Sequence, residues 1–401
     1  MKRARVHNEN AMCGFPGAAS CLRGVERRDT TTAWDSMSPM KHLLWAIVGA
    51  IGCLSSIAPP VTAPPKDAPI GGSLSPAPNT LPILLYEEAL DAVSLTGLVK
   101  SGAQSYFVIY QNNADPSAQK TGVIDSSALG RAVISQEGET PTGWGVLDYE
   151  EPFGAAIQEG PQSPKYAALV QTMIDAIRSV KRAFPKVKWT YYGIPGLRYY
   201  IDGKSWSELS EVDRKREIDK QLAAWGPVMA ECDWLAPCIY NVFGDGKGSR
   251  SAPLAIRKST REWSEARTHV AVRFIADRKL AIPVIPFVSP IYMPDGGART
   301  YSVVPDVVLV EDTIDPAFRG GASGLCFWSG ASYLIRTTFS SSAGITERRL
   351  LDIWSQDLGI DRISLSGEDG KRRITEMLAT CQLRGINAAR SRWSSLKNPH
   401  P

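Results

Sequence analysis

Gly143-Trp144-Gly145-Val146-Leu147-Asp148-Tyr149-Glu150-Glu151-Pro152 is an apolar run that ends in three acids. The stretch from Trp144 to Tyr149 predicts a β-strand. Residues two apart on a strand share a face, so Asp148 and Glu150 point the same way. If this strand belongs to a parallel barrel, its acids lie at the C-terminal end, where barrel active sites are built.

The surrounding sequence supports a parallel arrangement. Short apolar runs predict further strands at Pro82–Tyr86, Tyr106–Tyr110, Val187–Ile194, Trp234–Tyr240, Ile282–Val288 and Gly324–Trp328. Helical patterns lie between them. Ser163-Pro164 reads as an N-cap followed by proline at the first helical position, and Leu169, Val170, Met173, Ile174, Ile177 and Phe184 recur at helical spacing. Asp213–Trp225 and Pro253–Lys279 read the same way. Seven alternating units predict an α/β fold, a TIM-like (β/α) barrel that is irregular in having seven strands, over residues 81–345. An open doubly wound sheet is the alternative, but no G-x-G-x-x-G follows the first strand. Gly244 to Ser249 lacks phosphate-loop spacing and reads as a surface loop. Residues 346–401, with helical patterns at Arg348–Leu358 and Arg372–Leu383, read as a C-terminal helical extension.

The N-terminal part is of another kind. Residues 1–39 are polar, Arg-rich and without periodicity; Met40-Lys41-His42 then leads into the apolar run Leu43 to Leu54. A short basic start and a dozen apolar residues describe a signal peptide over 40–58, so Met40 or Met37 is the expected start and 1–39 a mis-assigned extension. A single anchor helix is the alternative, although the run is short for a span of ~20 residues. Ala50-Ile51-Gly52-Cys53 resembles a lipoprotein cleavage box without its usual leucine. Residues 59–80, with Pro59, Pro60, Pro64, Pro65, Pro69, Pro76 and Pro78, read as an extended tether. The expected location is secreted or at the cell surface, with membrane contact only through such a lipid or signal anchor.

Composition narrows the chemistry. The 401 residues are 43% hydrophobic and 21% charged, an ordinary globular balance, and a net charge of +4 is too weak to argue for nucleic acid. The four histidines, His7, His42, His269 and His400, are far apart in sequence, so a His-based metal site or a Ser-His-Asp triad has little to be built from. No metal and no cofactor is expected. Cys232, Cys238, Cys326 and Cys381 fit no zinc spacing; they read as buried thiols or, after export, as disulfide partners.

Two neighbouring carboxyls at a strand end suit acid–base work: proximity raises one pKa, leaving a proton donor beside an ionised group. Glycoside hydrolysis needs such a donor. The plain alternative is a pair that caps the next element or meets a lysine. Other strand ends are aromatic: Tyr191 and Tyr192, Tyr240, and Trp328. Rings at a barrel mouth can stack on the C–H faces of sugars, and tyrosine hydroxyls can hydrogen-bond to them.

These segments resemble those of the hyaluronidase family of animals and venoms. Asp148-Tyr149-Glu150-Glu151 is similar to the family's Asp-aromatic-Glu-Glu, with Tyr149 where tryptophan is usual. Trp189-Thr190-Tyr191-Tyr192 resembles Trp-Gly-Tyr-Tyr, Leu235 to Tyr240 resembles Leu-x-Pro-Ser-x-Tyr, and Gly324 to Trp328, followed here by Ser329-Gly330, resembles the closing Gly-x-x-x-Trp-Gly-Ser. The matches come in family order over about Leu81 to Ser332. The resemblance implies an irregular seven-stranded barrel and retaining, substrate-assisted cleavage beside an N-acetylhexosamine in a glycosaminoglycan-like polysaccharide. It implies Glu150 as general acid and base, and Asp148 as the group that orients the acetamido arm. Tyr192 and Tyr240 would grip that arm and the reacting sugar, with Trp328 as the pocket wall and Tyr149, Glu151 and Tyr191 as further substrate-binding candidates. The sequence departs from the family at Gly196 to Tyr200, where a disulfide is missing, and at Cys238. A chitinase-like or muramidase-like hydrolase and a non-catalytic carbohydrate-binding barrel are the competing readings; the first lacks its extra aspartates at Gly145 to Leu147, and the second does not require buried acids.

Overall fold

The computed structural model describes residues 81–86, 101–241, 254–292, 302–328, 345–365 and 367–397. The leader, the tether, the Gly244 to Ser249 loop and Ser329-Gly330 lie outside the described residues.

Strands form at β1 (Ile83–Tyr86), β2 (Gln104–Tyr110), β3 (Gly143–Asp148), β4 (Val187–Tyr191), β5 (Tyr200–Ile201), β6 (Lys204–Ser205), β7 (Phe287–Val288) and β8 (Leu325–Phe327). Six of them make one parallel sheet in the order β4-β3-β2-β1-β8-β7, curled into a half-barrel. β5 and β6 form a separate antiparallel hairpin.

The expected strand at Trp234–Tyr240 does not form a ladder. It makes two isolated parallel bridges, Leu235 with Val284 and Cys238 with Phe287. Proline is the physical reason. Pro237, Pro283 and Pro286 have no N–H to donate, so they interrupt continuous pairing. Their carbonyls still accept, from Phe287, Leu235 and Cys326 respectively, at 2.8–2.9 Å. On its other side the segment meets β4: Asp233 N–H donates to Trp189 O at 2.8 Å, and Gly193 N–H donates to Ala236 O at 3.1 Å.

Strand alternation divides the apolar residues between two surfaces. Leu84, Tyr86, Tyr106, Val108, Trp144, Val146, Trp234, Ala236, Cys238, Tyr240, Phe287, Cys326 and Trp328 pack together on the concave side. Their neighbours of opposite parity face the helices: Phe107, Ile109, Leu147 and Trp189 in one cluster, and Ile83, Leu85, Leu325 and Phe327 in another. Gly145 belongs to the helix-facing set. A Cβ there would lie 2.7 Å from the Trp189 ring and 2.8 Å from Val187, so glycine lets Trp189 cover β3.

The helices follow the expected pattern with shifted ends. The helix expected after Ser163-Pro164 spans Tyr166–Ala183 with Lys165 as its N-cap, and a turn closed by the Tyr166 N–H donating to Ser163 O precedes it. Of its predicted apolar stripe, Leu169, Val170, Met173 and Ile177 are buried, Ile174 is half-buried, and Phe184 is the C-cap. The next helix, Glu211–Met229, starts from the Ser210 side chain and holds Pro227 in its interior. Pro227 cannot donate to Ala223 O, and the Tyr166 hydroxyl donates there instead at 3.2 Å, and to Ala224 O at 2.8 Å. Leu254–Asp277, Ile345–Leu358 and Gly367–Lys397 complete the long helices. The last lays Ala379, Ile386 and Ala389 against Phe327 and Leu309 on the outside of the sheet. Among the described residues no helix is long and apolar enough to cross a membrane. Cys232, Cys238, Cys326 and Cys381 are buried, and no disulfide joins them.

Candidate active site

The concave face has a packed floor. Trp144 and Trp234 meet edge to face at 5.5 Å, and Lys188 Nζ lies 4.5 Å over the Trp144 ring. Both indole N–H groups are used: Trp144 donates to Gln104 Oε1 at 2.9 Å, and Trp234 donates to Lys188 O at 3.1 Å. Above this layer β3 continues through Val146 to Asp148 on the same side.

Asp148 ends β3 opposite Tyr110 of β2. It is 6% exposed, and its Oδ1 is enclosed with no hydrogen-bond partner among the described residues. Burial pushes its carboxyl up to about 7 from the ordinary 3.8, because a charge there lacks water. A buried carboxyl oxygen without a partner is rare in folded proteins and calls for an explanation.

The chain turns immediately after Asp148. Glu150 and Glu151 are half-buried. Glu150 N–H donates to Gln111 Oε1 at 3.1 Å, and Gln111 Nε2 donates to Glu151 O at 2.6 Å. Glu150 O accepts from Gly154 N–H at 2.6 Å, leading into the short helix Phe153–Gln158. Burial also raises the Glu151 carboxyl.

Aromatic rings extend from Asp148 around the mouth. Tyr110, its cross-strand neighbour, accepts from the Trp328 indole N–H at 3.5 Å. Trp328 stacks on Tyr240 with centroids 5.6 Å apart and planes 18° apart. Tyr240 lies 6.4 Å from Tyr192, whose hydroxyl donates to Cys238 Sγ at 3.3 Å. Tyr192 N–H donates to Leu147 O at 3.0 Å, which returns to β3 beside Asp148. Gly193 follows with φ of 73°, a left-handed conformation that suits glycine.

Of the residues singled out from sequence, Asp148, Tyr192, Tyr240 and Trp328 come together at this mouth, with Glu150 and Glu151 on the turn above it. Tyr149 and Tyr191 do not join them. Both have the opposite strand parity and sit in the helix-facing core, Tyr149 6.0 Å from Phe153 and Tyr191 1% exposed with its hydroxyl donating to Met173 O at 2.8 Å. Three mouth residues were not singled out. Tyr86 and Tyr110 end β1 and β2, carrying the same strand-end signal that picked out Tyr192 and Tyr240. Gln111 lies just past the end of β2 and carries no such signal.

No protein-family model matches the chain, and no curated protein is similar to it in sequence. Solved structures similar to it include two of bee venom hyaluronidase. One is a monoclinic crystal structure of bee venom hyaluronidase, at 13% identity and a TM-score of 0.44, covering 70% of this chain and 98% of that one. The other is bee venom hyaluronidase in complex with a hyaluronic acid tetramer, also at 13% identity and a TM-score of 0.44, covering 69% of this chain and 97% of that one.

Proposed function

We propose that this chain is a glycoside hydrolase that cleaves β-N-acetylhexosaminide bonds in a glycosaminoglycan-like polysaccharide, with retention of configuration. The observation that carries this reading is Asp148: a buried carboxyl with an enclosed, unpartnered oxygen, at the C-terminal end of β3, opposite Tyr110 and beside the Tyr192–Tyr240–Trp328 rings. Such an oxygen is ready to accept one hydrogen bond from a ligand N–H. The frame we propose is a ring of seven, closed through residues 233–240, preceded by a leader and tether and followed by the C-terminal helices of an exported protein.

In the proposed reaction Glu150 gives its proton to the leaving glycosidic oxygen. The substrate's acetamido oxygen attacks the anomeric carbon as the C–O bond breaks, forming an oxazolinium ring. Asp148 accepts the acetamido N–H and stabilises the positive charge that develops there. Glu150, now ionised, takes a proton from water; the water oxygen attacks the anomeric carbon, the ring opens, and Glu150 is protonated again. The substrate supplies the nucleophile, an exception to the two-carboxylate scheme. The rings of Tyr192, Tyr240 and Trp328 form the wall against which the sugar stacks.

The test is a reducing-end assay over hyaluronan, chondroitin and chitin oligomers. Glu150→Gln is expected to lose about 10²–10⁴ of turnover with its melting temperature unchanged. Wild-type turnover in that variant would remove Glu150 from the acid role.

A further inference from the structure

The parallel ladder between β2 and β3 ends at the pair Tyr110 and Asp148. Beyond it the two chains part: β2 runs into the helical turn Gln111–Ala114, and β3 runs into the Asp148–Pro152 turn. The backbone groups of Glu150 and Glu151 that face β2 would lose their partners there. The side-chain amide of Gln111 takes the place of the missing rung. Its Oε1 accepts from Glu150 N–H at 3.1 Å and its Nε2 donates to Glu151 O at 2.6 Å, so one planar group spans the peptide that joins the two acids. Gln111 is 7% exposed, so water competes little for either bond.

We infer that Gln111 is a positioning residue: it fixes the backbone at Glu150 so that this carboxyl stands in the mouth with Asp148. This rests on the proposed role of Glu150 in catalysis. Amide chemistry is specific here, because the position needs an acceptor and a donor about 2 Å apart on one plane, a pair that only an amide of this reach supplies. A glutamate at 111 would turn a second carboxylate oxygen towards Glu151 O and add a charge beside buried Asp148. A methionine keeps the length and makes neither bond. Gln111 touches no reacting atom, so its loss is expected in kcat rather than in substrate affinity. Displacing a catalytic group by about 1 Å costs up to ~10²-fold.

The experiment compares wild type, Gln111→Met, Glu150→Gln and the double variant in the reducing-end assay, with amide hydrogen exchange on the first two. Gln111→Met is expected to lower kcat about 10- to 100-fold at unchanged KM. The Glu150 amide should exchange faster while the Val146 and Leu147 amides keep their protection, which separates a released turn from an unfolded barrel. Adding Gln111→Met to Glu150→Gln should cost nothing more, since the carboxyl that Gln111 aims is gone. Wild-type kcat in Gln111→Met with Glu150→Gln inactive overturns the positioning role alone. An added loss in the double variant, or a fall in β3 protection with kcat, assigns Gln111 to general stability and overturns it as well. Full turnover in Glu150→Gln overturns the proposed function, whatever the exchange of the Glu150 amide.

Discussion

The floor and the mouth of the concave face are built from the same strands and the same kind of residue, yet their polar groups fare differently. At the floor Trp144 N–H meets Gln104, Trp234 N–H meets Lys188 O, and the Lys188 ammonium rests on an indole face. Each of these polar groups has a partner inside the protein. At the mouth, further along β3, Asp148 is equally enclosed and its Oδ1 has none among the described residues. Residues that satisfy one another hold a barrel together; a buried acceptor left over at the C-terminal end is held for something else, in keeping with the division of labour between barrel ends.

That contrast can be broken at either end. The largest effect is expected at the floor. Trp234→Ala removes a fully buried ring and leaves a cavity between Trp144 and Phe287, so it should destabilise the fold by about 3–5 kcal/mol in a denaturant titration. A loss under about 1 kcal/mol would mean that the floor is not the structural end.

Next comes Asp148→Asn. It should cut turnover about 10²-fold, because asparagine cannot take up the charge of the acetamido intermediate. Its effect on stability has the opposite sign. The folded protein holds the Asp148 proton up to about pH 7, whereas the ordinary value is 3.8. Stability from this group is therefore full below about pH 4 and falls as the pH rises towards 7. Asp148→Asn should match the melting temperature of wild type at pH 4 and melt higher at pH 8. A variant that melts lower at pH 8 would show that the carboxylate contributes to the fold.

The smallest and sharpest comparison is between adjacent tyrosines. Tyr192→Phe should lower turnover about 10-fold with little change in stability. Tyr191→Phe, which removes a buried hydroxyl bond to Met173 O and leaves that carbonyl its helical partner, should cost about 1 kcal/mol and leave turnover alone. The reverse pattern would put the mouth on the wrong face of β4.

Much of this arrangement was legible in sequence because strand periodicity is a hard constraint. Trp144, Val146 and Asp148 share parity, so an inward Trp144 carries Asp148 inward with it. The same rule, applied strictly, sends Tyr149 and Tyr191 outward, and the family-like motifs that contain them obscure this. The segment Trp234–Tyr240 is apolar enough to read as a strand, but the donors removed by Pro237, Pro283 and Pro286 leave isolated bridges in place of a ladder. Ser163 has the right chemistry for an N-cap, yet the helix starts two residues later, after a turn at Ser163–Tyr166. Gln111 was invisible because its work depends on which turn folds against it, forty residues along the chain. No local pattern encodes that meeting.

The most direct test of the account is the titration of Asp148 itself. Carboxyl ¹³C shifts of selectively labelled aspartate, assigned by comparison with Asp148→Asn, would follow its proton without any substrate. The account expects a midpoint of about 7. A midpoint near the ordinary 3.8 would mean that the carboxylate is solvated or paired, and the mouth would then hold no enclosed, unpartnered acceptor for an acetamido N–H to meet.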